Sequence, residues 1–266
     1  MPEGDAVWLT ARRLDRALAG QVLTASSFRV PQLATTDLTG ARVDSTATHG
    51  KHLLTRLTTV DGQDLTLHTH LKMEGVWRVV APRGRWPRPA HEARVVLHTE
   101  RAEAIGFTLG LVELLPTADE HTIIGHLGPD ILGPWTADDE AEAVRRLTAV
   151  PSRPLGEALL DQTNVAGFGT IWVAESSFVN GANPMAPVAE VRDPARFLRR
   201  GRLMIQAAVR EGRPVTTGNK REPLWAYRRH RQPCRRCGTT MVAGQLGDAG
   251  RERTTYWCPS CQPMTS

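Results

Sequence analysis

The stretch Asp161-Gln162-Thr163-Asn164-Val165-Ala166-Gly167-Phe168-Gly169-Thr170 decides how the C-terminal half of this 266-residue chain folds. Helically spaced apolar residues run up to Asp161-Gln162 and resume at Thr170, with two glycines between them. Over 156–184 this reads as a helix, a two-step turn and a second helix. A glycine-rich turn that opens a helix gathers unpaired backbone N–H groups and so makes an anion site. Close packing of two helices accounts for the same glycines equally well.

Further helical periodicity covers 137–148, 155–162, 170–179 and 193–211, with Gly212 closing the last. Upstream, 116–136 is rich in turn formers (Pro116, Gly125, Gly128, Pro129, Gly133, Pro134) and reads as a connection between halves. Before it come short β-branched or alternating runs at 21–28, 41–48, 52–58, 65–70, 75–80, 93–99 and 110–115. They follow a single amphipathic helix over 5–19, with Asp5 as the expected N-cap and Gly20 in the C′ position. The fold class is therefore α+β: an N-terminal β-sandwich or flattened barrel with a leading helix, followed by a helical half. The expected division is 1–115, a linker at 116–136, a helix-turn-helix region at 137–225 and a terminal hairpin at 226–266.

All four cysteines fall in that hairpin, as Cys234-Arg235-Arg236-Cys237 and Cys258-Pro259-Ser260-Cys261. Two Cys-x-x-Cys pairs twenty residues apart suit one tetrahedral structural Zn²⁺, bound by Cys234, Cys237, Cys258 and Cys261 with no open position for chemistry. Between the pairs, 239–246 and 251–257 flank Gly247-Asp248-Ala249-Gly250, the pattern of a β-hairpin and its turn.

The net charge of +5 conceals a strong asymmetry. From Arg196 to Arg236 there are thirteen Lys or Arg and two acids, Glu211 and Glu222, with Trp225 and Tyr227 interleaved. A phosphate backbone is the expected partner. No apolar run is long enough to span a membrane, and the start of the chain lacks the basic and apolar regions of a signal peptide. A cytoplasmic, nucleoid-associated monomer without a membrane partner is expected.

At the N-terminus the order is Met1-Pro2-Glu3-Gly4. Removal of Met1 exposes a secondary amine one peptide bond from a carboxylate. An α-amino group titrates near 7.7–8.0 against about 10.4 for lysine, so it is the better neutral nucleophile at pH 7. The dipole of the following helix favours the neutral amine and also ionised Glu3, so a proton-donating Glu3 needs burial or substrate contact. Lys51 follows Gly50 at a loop-to-strand transition, and His68 and His70 share one face of a strand without an evident third metal ligand.

Taken together, the sequence resembles the formamidopyrimidine-DNA glycosylase and endonuclease VIII family of base-excision repair enzymes. The resemblance spans nearly the whole chain. It rests on Pro2-Glu3-Gly4, Gly50-Lys51, His70-Leu71-Lys72-Met73-Glu74-Gly75, Leu127-Gly128-Pro129-Asp130, and Leu160-Asp161-Gln162 running into Gly167-Phe168-Gly169. The cysteine segments 232–238 and 253–262 complete it. It implies a β-sandwich, a helix-two-turn-helix domain and a zinc finger, with damaged DNA in the cleft between them. It implies that Pro2 attacks C1′ of a flipped nucleotide while Glu3 protonates the sugar oxygen. Lys51 then assists β-elimination and Arg253 grips phosphate for δ-elimination. Lys72, His126 and Thr170 occupy DNA-contact positions by the same likeness, and Met73 the wedge that fills the gap left by the flipped base. Gly4 and the absence of an Arg-Phe wedge in 104–115 resemble the endonuclease VIII branch, whose substrates are oxidised pyrimidines. The chain departs from its relatives at Ala6, where many carry a second glutamate, at Thr170, where asparagine is usual, and at Lys72, Glu74 and His126. A DNA-binding module without turnover is the alternative these departures raise.

Overall fold

The computed structural model describes residues 2–264, and Met1, whose removal exposes the Pro2 amine, lies outside them. The chain divides into two compact units, one of Pro2 and residues 6–126, the other of Glu3–Asp5 and the residues from Leu127 onward.

The first unit is built on helix α1 (Gly4–Leu18), which buries Val7, Ala11, Leu14 and Leu18 at three- and four-residue spacing. Gly20 follows at φ +75°, the left-handed conformation of a C′ glycine. Asp5 proves to lie inside the first turn of the helix and not at its N-cap. Eight strands follow: β1 (Ala25–Phe28), β2 (Arg42–His49), β3 (His52–Thr58), β4 (Asp64–His70), β5 (Val76–Val80), β6 (Ala93–His98), β7 (Glu103–Phe107) and β8 (Leu111–Pro116). They form two antiparallel sheets, ordered β1-β6-β7-β5 and β2-β3-β4-β8. Phe28, Val95 and Leu97 of one sheet and Leu53, Leu57 and Leu67 of the other share a single core with the apolar face of α1. Each such side chain, fully buried, contributes roughly 1.5–3 kcal/mol.

Strand β7 is the element the sequence pattern misses. Its residues Glu-Ala-Ile-Gly-Phe are weak strand formers apart from Ile105 and Phe107, and all five are buried, so no polar alternation marks them. It sits between β6 and β5. The buried Glu103 carboxylate is satisfied by the backbone N–H of Arg83 at 2.7 Å and the indole N–H of Trp86 at 3.0 Å. The stretch expected to be a plain connection carries a short helix, α2 (Glu120–Ile124), and the division between units falls after His126.

The second unit holds α3 (Ala137–Leu147), α4 (Leu155–Leu160), α5 (Thr170–Asn180), α6 (Pro194–Glu211) and the hairpin β9 (Val242–Leu246) with β10 (Arg253–Trp257). Helix α4 ends two residues before the sequence pattern indicates, because Asp161 adopts an extended backbone with ψ 108°. Both hairpin strands are shorter than expected. The turn from α4 to α5 is held by side chains. Gln162 donates to the carbonyl of Phe168 at 3.0 Å and accepts from the N–H of Gly167 at 2.9 Å. Residues 128–131 lie along it, with Gly128 donating to Gln162, Ala166 to Pro129 and Ile131 to Ala166. A Cβ on Gly128 would stand 2.3 Å from the Asn164 carbonyl oxygen, so this close approach requires glycine.

Candidate active site

Helix α5 begins at Thr170 behind Gly169, which has no side chain to cap it. The cap comes from the other end of the sequence. Oε1 of Glu3 accepts the N–H of Ile171 at 2.8 Å and the Thr170 hydroxyl at 3.2 Å, and Oε2 accepts the N–H of Trp172 at 3.3 Å. The anion expected at this helix start is thus the chain's own carboxylate, only 2% exposed. Two further bonds fix the same tripeptide. Gly4 donates its N–H to the Gly167 carbonyl at 3.0 Å, and Asp5 Oδ1 accepts the buried Trp172 indole N–H at 3.0 Å. Gly167 stands at φ +107°, and a Cβ on Gly4 would come within 2.8 Å of its carbonyl oxygen. Residues 3–5 are held to the turn by contacts that admit no bulk, and Pro2, half-buried, immediately precedes them.

In the first unit, Lys51 sits in the tight β2–β3 hairpin after Gly50, which adopts φ +57°, and is 8% exposed. The turn between β4 and β5 carries Lys72, at φ +52°, and Met73, 62% exposed. Met73 is therefore no core methionine. Lys72 and His126 are exposed. His52, His68 and His70 cluster at the adjoining strand ends, and burial is the main reason all three rings stay neutral. His52 is pushed down to about 3, with His68, His70, His49 and His126 adding repulsion. His70 is pushed down to about 4, with Lys72 and Lys51 adding to burial, and His68 is also lowered although Glu113 opposes the shift. Among the described residues no third ligand joins His68 and His70, and the group suited to a metal is the cysteine cluster.

The four cysteine sulfurs lie within 4.8 Å of one another. Cys237 is 3.5 Å from Cys258 and 3.4 Å from Cys261, and Cys234 is 4.0 Å from Cys261. A tetrahedron with metal–sulfur bonds near 2.3 Å has sulfur edges of about 3.8 Å, so the cluster fits one tetrahedral ion. Arg253 opens β10 and is exposed.

Residues 1–108 match the formamidopyrimidine-DNA glycosylase N-terminal domain. Over 98% of its length the chain is 49% identical to the probable endonuclease 8 2 of Streptomyces coelicolor, covering 94% of that protein. It is 43% identical to the DNA-(apurinic or apyrimidinic site) lyase Nei2 of Mycolicibacterium smegmatis, covering 98% of this chain and 99% of the relative. The chain belongs to the formamidopyrimidine-DNA glycosylase and endonuclease VIII family. Its fold agrees: the structure of Lactococcus lactis Fpg in complex with DNA containing an abasic site superposes with a TM-score of 0.79 at 23% identity, covering 98% of this chain and 100% of that one.

Within this formamidopyrimidine-DNA glycosylase and endonuclease VIII framework, two carboxylates hold the site in ways the sequence did not indicate. Asp5, expected as a cap, instead binds the Trp172 indole. Buried Glu175 on α5 accepts the backbone N–H groups of Trp225, Ala226 and Tyr227 at 2.8–2.9 Å and the Thr216 hydroxyl, and so fastens the segment leading to the cysteine hairpin. The signal for both was a carboxylate on an otherwise apolar face, which has meaning only once its partner is known.

Proposed function

We propose that this protein is a bifunctional DNA glycosylase and abasic-site lyase of base-excision repair, acting on oxidised bases and chiefly on pyrimidines. The observation that carries the proposal is the anchoring of Glu3 on the first turn of α5, which fixes the residue next to Pro2 by three hydrogen bonds. The buried carboxylate takes the proton of the adjoining Pro2 ammonium, which leaves a neutral amine as nucleophile and a carboxylic acid as proton donor.

The damaged nucleotide is flipped out of the stack. The Pro2 amine, free once Met1 is removed, forms a bond to C1′, and the glycosidic bond breaks so that the base leaves with its electron pair and the proton given up by the amine. Glu3 protonates O4′ as the C1′–O4′ bond opens, which leaves an iminium between the Pro2 nitrogen and C1′. The resulting iminium withdraws electrons from C2′, whose proton becomes acidic, so the 3′ phosphate and then the 5′ phosphate are eliminated. Lys51 acts in β-elimination as proton donor and phosphate contact. Arg253 binds phosphate in δ-elimination, where a guanidinium offers two parallel donors. Lys72, His126 and Thr170 contact DNA, and Met73 is the wedge. Thr170 has a second duty, since its hydroxyl also bonds Glu3.

Cys234, Cys237, Cys258 and Cys261 hold one structural Zn²⁺, which closes the β9–β10 hairpin and leaves no open position. The working division is a catalytic sandwich over 1–115, a linker at 116–136, a helix-two-turn-helix domain at 137–225 and a zinc finger at 226–266. The protein acts as a monomer in the cytoplasm, associated with the nucleoid. The relatives named as an endonuclease and as an abasic-site lyase support this reading, as does the basic stretch from Arg196 to Arg236.

Duplexes carrying 5-hydroxycytosine or 8-oxoguanine test the assignment. The expected products are free base and a gap with phosphate at both ends, formed faster from the pyrimidine lesion. Release of base without strand scission would refute the lyase role, and faster excision of the purine would refute the pyrimidine preference.

A further inference from the structure

A line of hydrogen-bonded side chains lies beside the Lys51 hairpin, and none of the steps above uses it. His52 opens β3 and is paired across the sheet with His49 of β2 and His70 of β4. Oε2 of Glu113 lies 3.0 Å from Nδ1 of His68, and Nε2 of His68 lies 2.8 Å from Nδ1 of His52. An ionised carboxylate only accepts, so His68 carries its proton on Nδ1. Neutral His68 then accepts at Nε2, and His52 donates from Nδ1. The two rings lie 15° from parallel with centroids 5.0 Å apart, which with so short an N–N distance means they meet edge to edge and are not stacked.

His70 meets the end of the line through a ring contact with His52. Its ring stands at 80° to His52 with centroids 5.1 Å apart, and its Nδ1 lies 2.9 Å from the backbone nitrogen of Lys72. A peptide N–H only donates, so His70 accepts at Nδ1 and carries its proton on Nε2. That bond closes on a residue in the left-handed region, where a lysine needs outside support. Gly110 gives the turn its room, since a Cβ there would stand 2.2 Å from Lys72 Cγ.

We propose that Glu113, His68 and His52 are positioning residues that fix the His70 ring and, through it, the 71–75 turn bearing Lys72 and Met73. This rests on the reading of those two residues as DNA contacts. The line requires neutral rings, and the surrounding charges agree. His52 is faced by His68, His70, His49 and His126, and His70 by Lys72, Lys51 and His68, all of which oppose a further positive charge. At His68 burial and Lys72 oppose a positive charge and outweigh Glu113 and Glu120, which favour one.

Long-range ¹H–¹⁵N spectra of the zinc-loaded full chain report each ring's tautomer directly. The expected pattern at pH 7.5 is Nδ1–H for His52 and His68 and Nε2–H for His70. In Glu113→Ala the His52 and His68 tautomers mix and the Lys72 amide resonance moves. Affinity for abasic-site duplex falls on the order of tenfold while the scission rate at saturating DNA holds. Glu113→Gln, whose amide oxygen accepts the same proton, restores tautomers and affinity, and His68→Phe reproduces the loss. Glu113→Ala that leaves both tautomers and affinity unchanged, with Gln no better than Ala, would overturn the proposal. If Lys72→Ala and Met73→Ala bind DNA as the wild type does, the DNA-contact reading fails, while the spectra still judge the histidine line on its own.

Discussion

Gly169 has no side chain where a Cβ would stand 2.3 Å from the carboxyl carbon of Glu3. The second glycine of the turn therefore reserves space for the carboxylate that caps α5. Gly169→Ala, at φ −140° and ψ −170°, meets no backbone strain of its own, so its cost is confined to that contact. Losing one or two hydrogen bonds to a charged group costs about 1.5–3 kcal/mol each, so base excision should fall at least about tenfold. Single-turnover kinetics on a lesion duplex checks this, with metal content unchanged and the melting temperature lowered by the same loss.

Glu175 offers a test of how the finger segment is fastened. Glu175→Ala leaves the buried N–H of Ala226 and the partly buried N–H groups of Trp225 and Tyr227 without their acceptor. At about 1–3 kcal/mol for a buried donor left unsatisfied, destabilisation of about 3 kcal/mol or more is expected. Urea unfolding measures it, and Glu175→Gln should recover part of the loss.

Metal content should be one zinc per chain. Chelation or Cys258→Ser should unfold the β9–β10 hairpin, remove Arg253 from its place and abolish binding to abasic-site DNA, because a structural zinc supplies the folding energy of such a hairpin. Atomic absorption together with gel-shift titration reads both effects.

The histidine cluster sets a pH dependence of stability. In the unfolded chain these rings titrate near 6.5, whereas in the folded chain His52 is pushed down to about 3 and His70 to about 4. Below pH 6.5 the unfolded state binds more protons, so stability falls as pH drops and goes on falling until the folded pKa values are reached. Urea midpoints should decrease from pH 7.5 to pH 4.5. His52→Gln should flatten that slope, since His52 is displaced further than His70.

Much of this architecture is legible in the chain because local physics decides it. The α1 stripe, the Gly20 and Gly212 helix ends, seven of the eight sandwich strands and the cysteine pairs each follow from spacing within one element. Strand β7 does not, because burial on both faces erases alternation. The Glu3 cap and the Asp5–Trp172 bond join residues about 167 positions apart, and no periodicity reports a contact of that kind. The histidine line likewise depends on the register that sets β3 against β4 and β4 against β8.

Sodium borohydride added to the full chain with abasic-site DNA tests the central claim most directly, since reduction captures only an imine between enzyme and sugar. With Met1 removed, as verified by mass spectrometry, the protein should become covalently joined to the DNA through Pro2, and a chain with a blocked amino terminus should not. A correctly processed, zinc-loaded protein that binds the duplex and is never cross-linked would contradict the account.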